Sequence, residues 1–185
     1  MIAAVGFAAA LLAATAPAQG VTLPGNAARA VSMAFQIAAA KSLNGVLQGM
    51  TLHVGDQPGC YRIRFVPNAD PSDATTVRLS KGAESGVGGC PDDDAAPEWV
   101  LPGVEAEALG RILRAWSTGA LTGAPAVGML ADGTFSATVA MVPGDSTTLP
   151  GNTVTVTIVP SNGSCPFGWD YDPVGGTAEK LPANC

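Results

Sequence analysis

Residues 152–159 read Asn-Thr-Val-Thr-Val-Thr-Ile-Val, so apolar side chains alternate with polar ones along almost the whole stretch. Side chains of a β-strand point alternately to its two faces. The alternation therefore predicts a strand with one buried face, made by Val154, Val156 and Ile158. The three threonines of this stretch would face outward.

A β-hairpin is predicted immediately upstream of this strand. Residues 126–131 and 134–142 flank the dipeptide Asp132-Gly133, which favours a type I′ turn because it tolerates positive φ angles. The second of these strands would bury one face, made by Phe135, Ala137, Val139 and Met141. After Pro160 the sequence is polar and irregular and ends at Cys185.

The first two thirds of the chain mix helical and strand patterns. Apolar residues three and four apart predict an amphipathic helix in residues 25–48, after Pro24, and a second helix from Val104 to Trp116. Alternation predicts strands near residues 51–54 and 61–65, where Tyr61, Ile63 and Phe65 would share a face, and a short strand at 75–79. Residues 81–97 are Gly-rich and then acidic, which indicates a surface loop.

The N-terminal segment is apolar and carries no charge. The first ionisable side chain is Arg29, and residues 2–16 form an Ala-rich apolar run that ends at Pro17. This run is shorter than the about 20 residues that a membrane-spanning helix needs. It is interpreted either as a secretory signal peptide cleaved before Gln19 or as part of a longer apolar helix that is retained. Both interpretations imply export.

The four cysteines, Cys60, Cys90, Cys165 and Cys185, show no Cys-x-x-Cys spacing. This pattern is poor for zinc binding and for thioredoxin-like chemistry, and in an exported protein it favours two disulfides. Four cysteines allow three connectivities. Pairing of Cys60 with Cys90, and of Cys165 with Cys185, closes the shortest loops and is preferred, with about 3 kcal/mol expected from each.

The composition disfavours several classes of function. The 185 residues include 9 basic and 15 acidic side chains, for a net charge of −6, so there is no general attraction to nucleic acid or to anionic lipid. His53 is the only histidine, and residues 92–94 lack the ligand spacing of a calcium loop. No nucleophile or phosphate-loop motif occurs. We therefore expect no catalytic site, no metal site, no cofactor and no enzymatic activity.

The C-terminal third contains, in this order, the turn at Asp132-Gly133-Thr134, the Thr/Val strand, Ser161-Asn162-Gly163-Ser164, Trp169, and the terminal residues 180–185, Lys-Leu-Pro-Ala-Asn-Cys. This order resembles that of a bacterial type IV pilin. Met-Ile followed by an Ala-rich run up to Pro17, and residues 28–32, Ala-Arg-Ala-Val-Ser, resemble a pilin stem. If so, Met1 corresponds to an internal methionine of the stem, and the leader and first stem residues lie upstream. Residues 51–124 match no family that we can name.

The resemblance implies an α+β, pilin-like fold. An N-terminal apolar and amphipathic helix would pack on an antiparallel β-sheet, and a disulfide would close a C-terminal loop. Residues 1–50 would form the apolar stem and amphipathic helix, and residues 51–185 a globular α+β head. Assembly would use stem residues Ile2, Val5, Phe7, Leu11, Leu12 and Pro17, and the terminal loop would include Trp169, Lys180, Leu181 and Pro182.

The implied function is that of a structural subunit of a type IV pilus-like surface filament. Its partners would be copies of itself, the inner membrane before assembly, and host or surface receptors, with no nucleic acid as a main partner. Adhesion, motility and DNA uptake are the roles that the family implies. The alternative is a signal-peptide-cleaved, soluble periplasmic or secreted binding domain with two disulfides.

Overall fold

The structure is a computed structural model of the 185-residue chain. It describes residues 20–40, 49–54, 59–66, 76–82, 90–92, 94–143, 151–182 and 185. The structural statements that follow concern these residues.

The described chain forms an α+β fold with twelve elements. The first half contains β1 (Val21–Pro24), α1 (Gly25–Ala40), β2 (Gly49–Val54), β3 (Gly59–Val66) and β4 (Thr76–Lys81). The second half contains β5 (Trp99–Pro102), α2 (Gly103–Ser117), α3 (Val127–Asp132), β6 (Phe135–Val142), β7 (Thr153–Pro160), β8 (Phe167–Asp172) and β9 (Thr177–Lys180). The predicted α+β class is confirmed, as is the antiparallel pairing of strands.

The strands form two antiparallel sheets. The first sheet has the order β2-β3-β4-β5, and the second sheet has the order β1-β6-β7-β8-β9. The first strand of each half pairs with a strand of the other half: β1 pairs with β6, and β5 pairs with β4. The two halves are therefore interlocked by backbone hydrogen bonds.

The same strand–helix unit occurs twice, 78 residues apart. Residues 21–36 read VTLPGNAARAVSMAFQ, and residues 99–114 read WVLPGVEAEALGRILR. In both copies a strand runs through Leu-Pro and a helix begins at the glycine. Leu23 and Leu101 are both fully buried, and the following prolines are both exposed. Proline cannot donate a backbone hydrogen bond, so it suits the point where the strand ends and the helix begins.

The two helices pack against each other and against strands of both sheets. α1 contacts mainly β2 and β3 of the first sheet, and α2 contacts mainly β6 and β7 of the second. Small residues line the buried side of α1, including Ala27, Ala30 and Ala34. Buried residues of α1 between Ala27 and Ala34, predicted as part of the stem-and-helix segment, thus share one hydrophobic core with the strands of the predicted head. The division at residue 50 stays a prediction, because residues 1–19 and 41–48 lie outside the described residues.

The prediction of a hairpin at Asp132-Gly133 is wrong. Residues 127–132 form the short helix α3, and Gly133 follows it as a left-handed C-cap with φ of 67°. A type I′ turn and a helix C-cap both require positive φ, and the dipeptide alone does not distinguish them. β6 pairs instead with β7, across a connection that includes residues 143–152.

The prediction of an irregular segment after Pro160 is also wrong in part, because this segment contains β8 and β9. The other strand and helix predictions agree with the structure to within a few residues, although α1 is described only to Ala40. Val154, Val156 and Ile158 are fully buried, and so is Trp116. Thr153, which was predicted to face outward, is buried as well, with 8% of its surface exposed.

Candidate functional site

The C-terminus forms a β-hairpin closed by a disulfide. Cys165 is bonded to Cys185, with 5.3 Å between their Cα atoms, and the loop that they close contains β8 and β9. The predicted disulfide-closed terminal loop is therefore largely an ordered pair of strands. Leu181 N donates to Gly168 O at 3.0 Å, and Lys180 Nζ donates to Gly123 O at 2.9 Å. The first bond continues the pairing of the hairpin beyond β9, and the second joins β9 to the loop after α2.

Aromatic packing attaches this hairpin to the core. Trp169 of β8 is 1% exposed, and its ring meets Phe167 edge-on with 5.5 Å between centroids. Phe167 meets Trp116 of α2 in the same way, also at 5.5 Å. Trp116 Nε1 donates to Pro125 O at 2.9 Å, so its polar group is satisfied inside the core. Trp169 is therefore a structural residue of the terminal segment.

The second disulfide joins Cys60 to Cys90 and lies beside the only histidine. His53 Nε2 is 3.7 Å from Cys90 Sγ. In the described part of the chain, His53, Cys60 and Cys90 are the one group of three metal-ligating side chains with donor atoms within 4.8 Å of one another. Because the two sulfurs are bonded to each other, they do not provide the thiolates that zinc binds.

Two of the grooves on the described surface have linings that bear on function. One, of about 290 Å³, lies between α1, α2 and α3 and includes Arg29, Gln36 and Leu130. The other, of about 400 Å³, lies beside the terminal hairpin and is lined by Thr157, Pro166, Phe167, Gly168, Leu181 and Pro182. Neither lining contains a histidine, a cysteine or a carboxylate, so neither provides a general base or an activated nucleophile.

The outer face of the first sheet is basic. Tyr61 and Ile63 of β3 are buried on the inner face, so Arg62 and Arg64 lie on the outer face. Arg78 of β4 is exposed and stands directly opposite Arg64 in the strand register. The four strands of this sheet contain no Asp or Glu. We call the outer surface at Arg62, Arg64 and Arg78 the basic face.

The outer face of the second sheet is acidic. Trp169 and Tyr171 of β8 are buried on its inner face, so Asp170 and Asp172 lie on the outer face. Asp170 stands directly opposite Glu179 of β9 and accepts a hydrogen bond from Thr155 Oγ1 at 2.5 Å. We call the outer surface at Asp170, Asp172 and Glu179 the acidic face.

A further carboxylate is buried on α2. Glu105 is 8% exposed, and its Oε1 accepts a hydrogen bond from Met141 N at 3.2 Å. Burial raises the pKa of Glu105, and the hydrogen bond from Met141 opposes part of this rise. Burial also raises the pKa of Tyr171, while the positive charge of Arg111 lowers it. The hydrogen bond between Glu105 and Met141 therefore links α2 to β6, although burying the charged carboxylate of Glu105 is unfavourable.

The structure locates only some of the predicted site residues. The two disulfides agree with the preferred pairing, and Trp169, Lys180, Leu181 and Pro182 lie in or next to the terminal hairpin. The predicted stem residues Ile2, Val5, Phe7, Leu11, Leu12 and Pro17 lie outside the described residues. The two like-charge pairs were not predicted. The alternation Tyr-Arg-Ile-Arg-Phe at 61–65 was the available signal for one outer face, but the strand register was needed to pair Arg64 with Arg78.

Comparison with known proteins identifies no relative. No family model, no curated protein and no solved structure matches this chain. Among the residues that the structure describes, no helix combines the length and the apolar character needed to span a membrane.

Proposed function

We propose that this chain is an exported structural subunit of a type IV pilus-like surface filament and has no enzymatic activity. The observation that carries the proposal is the Cys165–Cys185 disulfide, which closes the hairpin of β8 and β9. A disulfide-closed C-terminal loop is the feature that the pilin resemblance implies. The second disulfide is a further reason to propose export, since disulfides persist in oxidising compartments.

The N-terminal segment would drive assembly. Residues 1–19, which precede β1, carry no ionisable side chain, and a long uncharged apolar segment is unfavourable in water. In this proposal it is stored in the inner membrane and then packs against copies of itself in the filament. Ile2, Val5, Phe7, Leu11 and Leu12 would make those contacts, with Pro17 ending the apolar run. The head would then face outward, where it could contact surface or host receptors.

A chemical observation supports the proposed absence of enzymatic activity. His53 lies next to a closed disulfide, the buried carboxylate of Glu105 is engaged by a backbone N–H, and the two grooves lack acid–base groups. In the described part of the chain, these groups do not combine into a nucleophile, a base and an orienting partner.

Electron microscopy of cells that produce the protein from its natural gene tests this function. Immunogold labelling should mark surface filaments in the wild type. Leu11→Lys places a charge in the apolar run and should abolish the filaments. Val174→Lys is the matched control, because Val174 is 95% exposed in the turn between β8 and β9, and it should leave them unchanged. Absence of labelled filaments in the wild type, or their persistence in Leu11→Lys, would contradict the proposal.

One observation favours the alternative of a soluble periplasmic or secreted binding domain. α1 is packed into the core through most of its described length, so the folded body does not depend on an extended helix. N-terminal sequencing of the mature protein separates the two functions. A start at Gln19 would remove the apolar run and support the soluble domain, whereas a retained run supports the filament.

A further inference from the structure

We infer that the head of one copy binds the head of the next, with the basic face of one against the acidic face of the other. This inference rests on the proposed function and adds a defined contact between heads to it. The proposed assembly through the N-terminal segment brings copies together but does not specify how their heads meet.

The basic face contains a pair of like charges held in register. Arg64 and Arg78 are directly opposite in the antiparallel pair β3–β4, an arrangement that destabilises a sheet when nothing neutralises it. In the described part of the chain, no carboxylate forms an ion pair with either side chain.

The acidic face repeats this arrangement with the opposite sign. Asp170 and Glu179 are directly opposite in the pair β8–β9, and Asp172 lies two residues along β8 on the same side. Both partners of this pair remain accessible, since Asp170 is half-buried and Glu179 is exposed. Each sheet therefore has one unfavourable cross-strand pair, and contact between the two faces would neutralise both.

An apolar feature lies beside each charged pair. On the basic face, Val100 of β5 is opposite Arg78 and is 45% exposed. On the acidic face, the groove lined by Gly168, Leu181 and Pro182 begins two residues from Asp170. A Cβ atom at Gly168 would lie 2.5 Å from Val156 O and 3.3 Å from Leu181 Cδ1. Any larger residue at position 168 would therefore collide with the backbone of β7. Val100 is a candidate to fill the groove of the neighbouring copy.

A second copy of this chain is the partner that fits both observations. Net charge alone makes two copies repel, because each carries −6. Association would therefore require local complementarity, and the same chain supplies both complementary surfaces. Since the two faces are different patches, a copy bound through one face keeps the other free for a third copy. Such a heterologous contact is open-ended and extends into a linear assembly.

The experiment measures self-association of the full 185-residue chain by sedimentation velocity, with a fixed concentration of non-ionic detergent to cover the apolar run. Wild-type association should weaken at least tenfold between about 50 mM and about 300 mM salt, because salt screens exposed charges. Arg64→Glu/Arg78→Glu makes both faces acidic, and Asp170→Lys/Glu179→Lys makes both faces basic. Each double variant should be monomeric alone, and an equimolar mixture should associate as tightly as the wild type.

The matched control is Arg111→Glu/Arg114→Glu, which changes the charge of exposed α2 residues by the same amount outside both faces. It should associate like the wild type. Asp170→Lys removes the carboxylate that accepts the hydrogen bond from Thr155, which could disturb folding. In that case the single variant Glu179→Lys is used in place of the double variant, since Glu179 is exposed on the edge strand β9. A wild type that stays monomeric, double variants that still associate, or a mixture that stays monomeric would each overturn the inference.

Failure of the head contact and failure of the filament proposal are distinguishable. Filaments seen in cells that produce the Arg64→Glu/Arg78→Glu variant would overturn the contact and leave the proposed function intact. Salt-sensitive association with charge-swap rescue, without filaments in wild-type cells, would support the contact and contradict the filament.

Discussion

Ser32 Oγ donates a hydrogen bond to Gly110 O at 3.2 Å, and the two residues hold equivalent positions in the repeated strand–helix unit. They are separated by 78 residues, as are Leu23 and Leu101. α1 and α2 therefore cross at corresponding points, where each helix has a small residue. Small residues at a helix crossing let the two backbones approach closely.

Replacing Gly110 with Leu should destabilise this crossing. A Cβ atom at position 110 would already lie 3.3 Å from Phe35 Cβ, and a larger side chain would force the helices apart. We expect the free energy of unfolding to fall by about 1–3 kcal/mol, measured by urea denaturation. Gly128→Ala in α3 is the control, because no atom lies within 4 Å of its added Cβ. It should leave stability unchanged or raise it by up to about 1 kcal/mol. Equal stability of Gly110→Leu and wild type would show that the crossing is not tightly packed.

Glu105→Gln should change how stability depends on pH. Burial raises the folded-state pKa of Glu105, so the folded protein binds the proton more tightly than the unfolded chain does. Wild-type stability should therefore fall as pH rises from the unfolded-state pKa to the raised folded-state pKa, and then level off. Glutamine keeps an oxygen to accept the Met141 N–H but does not ionise.

The variant should accordingly be more stable than the wild type at pH 7, with a difference that vanishes at low pH. Thermal melts between pH 3 and pH 8 measure this difference. Glu107→Gln is the control, because Glu107 is half-exposed and pairs with Arg111 at the surface; it should show little effect at any pH. A variant difference independent of pH would exclude titration of Glu105 as the cause.

Removing the terminal disulfide should loosen the hairpin that it closes. Cys165→Ala/Cys185→Ala opens a loop with a sequence separation of 20, and chain entropy predicts a loss of about 3 kcal/mol. Amide hydrogen exchange should accelerate most in β9, which pairs only with β8. Cys60→Ala/Cys90→Ala, which opens a loop of separation 30, serves as the comparison and should leave β9 protected. Unchanged exchange in β9 after loss of Cys165–Cys185 would mean that the aromatic contacts of Phe167 and Trp169 are sufficient.

Gly133→Ala should lower the free energy of unfolding more than the replacement of another glycine that also has a positive φ angle. Gly133 has φ of 67°, and its added Cβ would lie 2.3 Å from Asn26 Oδ1. Gly163→Ala is the matched control, with φ of 77° and no atom within 4 Å. Both variants lose about 1–2 kcal/mol from backbone strain, and Gly133→Ala should lose further stability through the contact with α1. If chemical denaturation showed equal losses of stability for the two variants, the Asn26 side chain would move aside without a measurable energetic penalty.

The local parts of the fold were predictable because their signals are local. Strict alternation at 152–159 predicts β7, and three-and-four spacing with matching charges predicts α2. β8 was missed because Phe167-Gly-Trp-Asp-Tyr-Asp172 contains a glycine and follows a turn-rich segment, although its buried residues do alternate. Asp132-Gly133 was misinterpreted because two different structures use the same positive φ.

The long-range parts required the structure. The Leu-Pro-Gly repeat at residues 23–25 and 101–103 is visible in the sequence, but few residues beyond it are identical, because buried helix positions have different apolar residues, such as Val31 and Leu109. Nothing in either segment specifies that β1 pairs with β6 and β5 with β4. The like-charge pairs follow from strand register alone, so the candidate contact surfaces could not be predicted before that register was determined.

The exchange of first strands has a consequence for the order of folding. Val21 of β1 finds its partner Val139 only after more than a hundred further residues are available, so a chain that leaves a ribosome or a secretion channel N-terminus first cannot close the second sheet early. β1 would therefore stay unpaired while the rest of the chain is delivered, and the second sheet would be completed only in a late step of folding. A product truncated before β6 would lack the strand that pairs with β1 and could not complete that sheet.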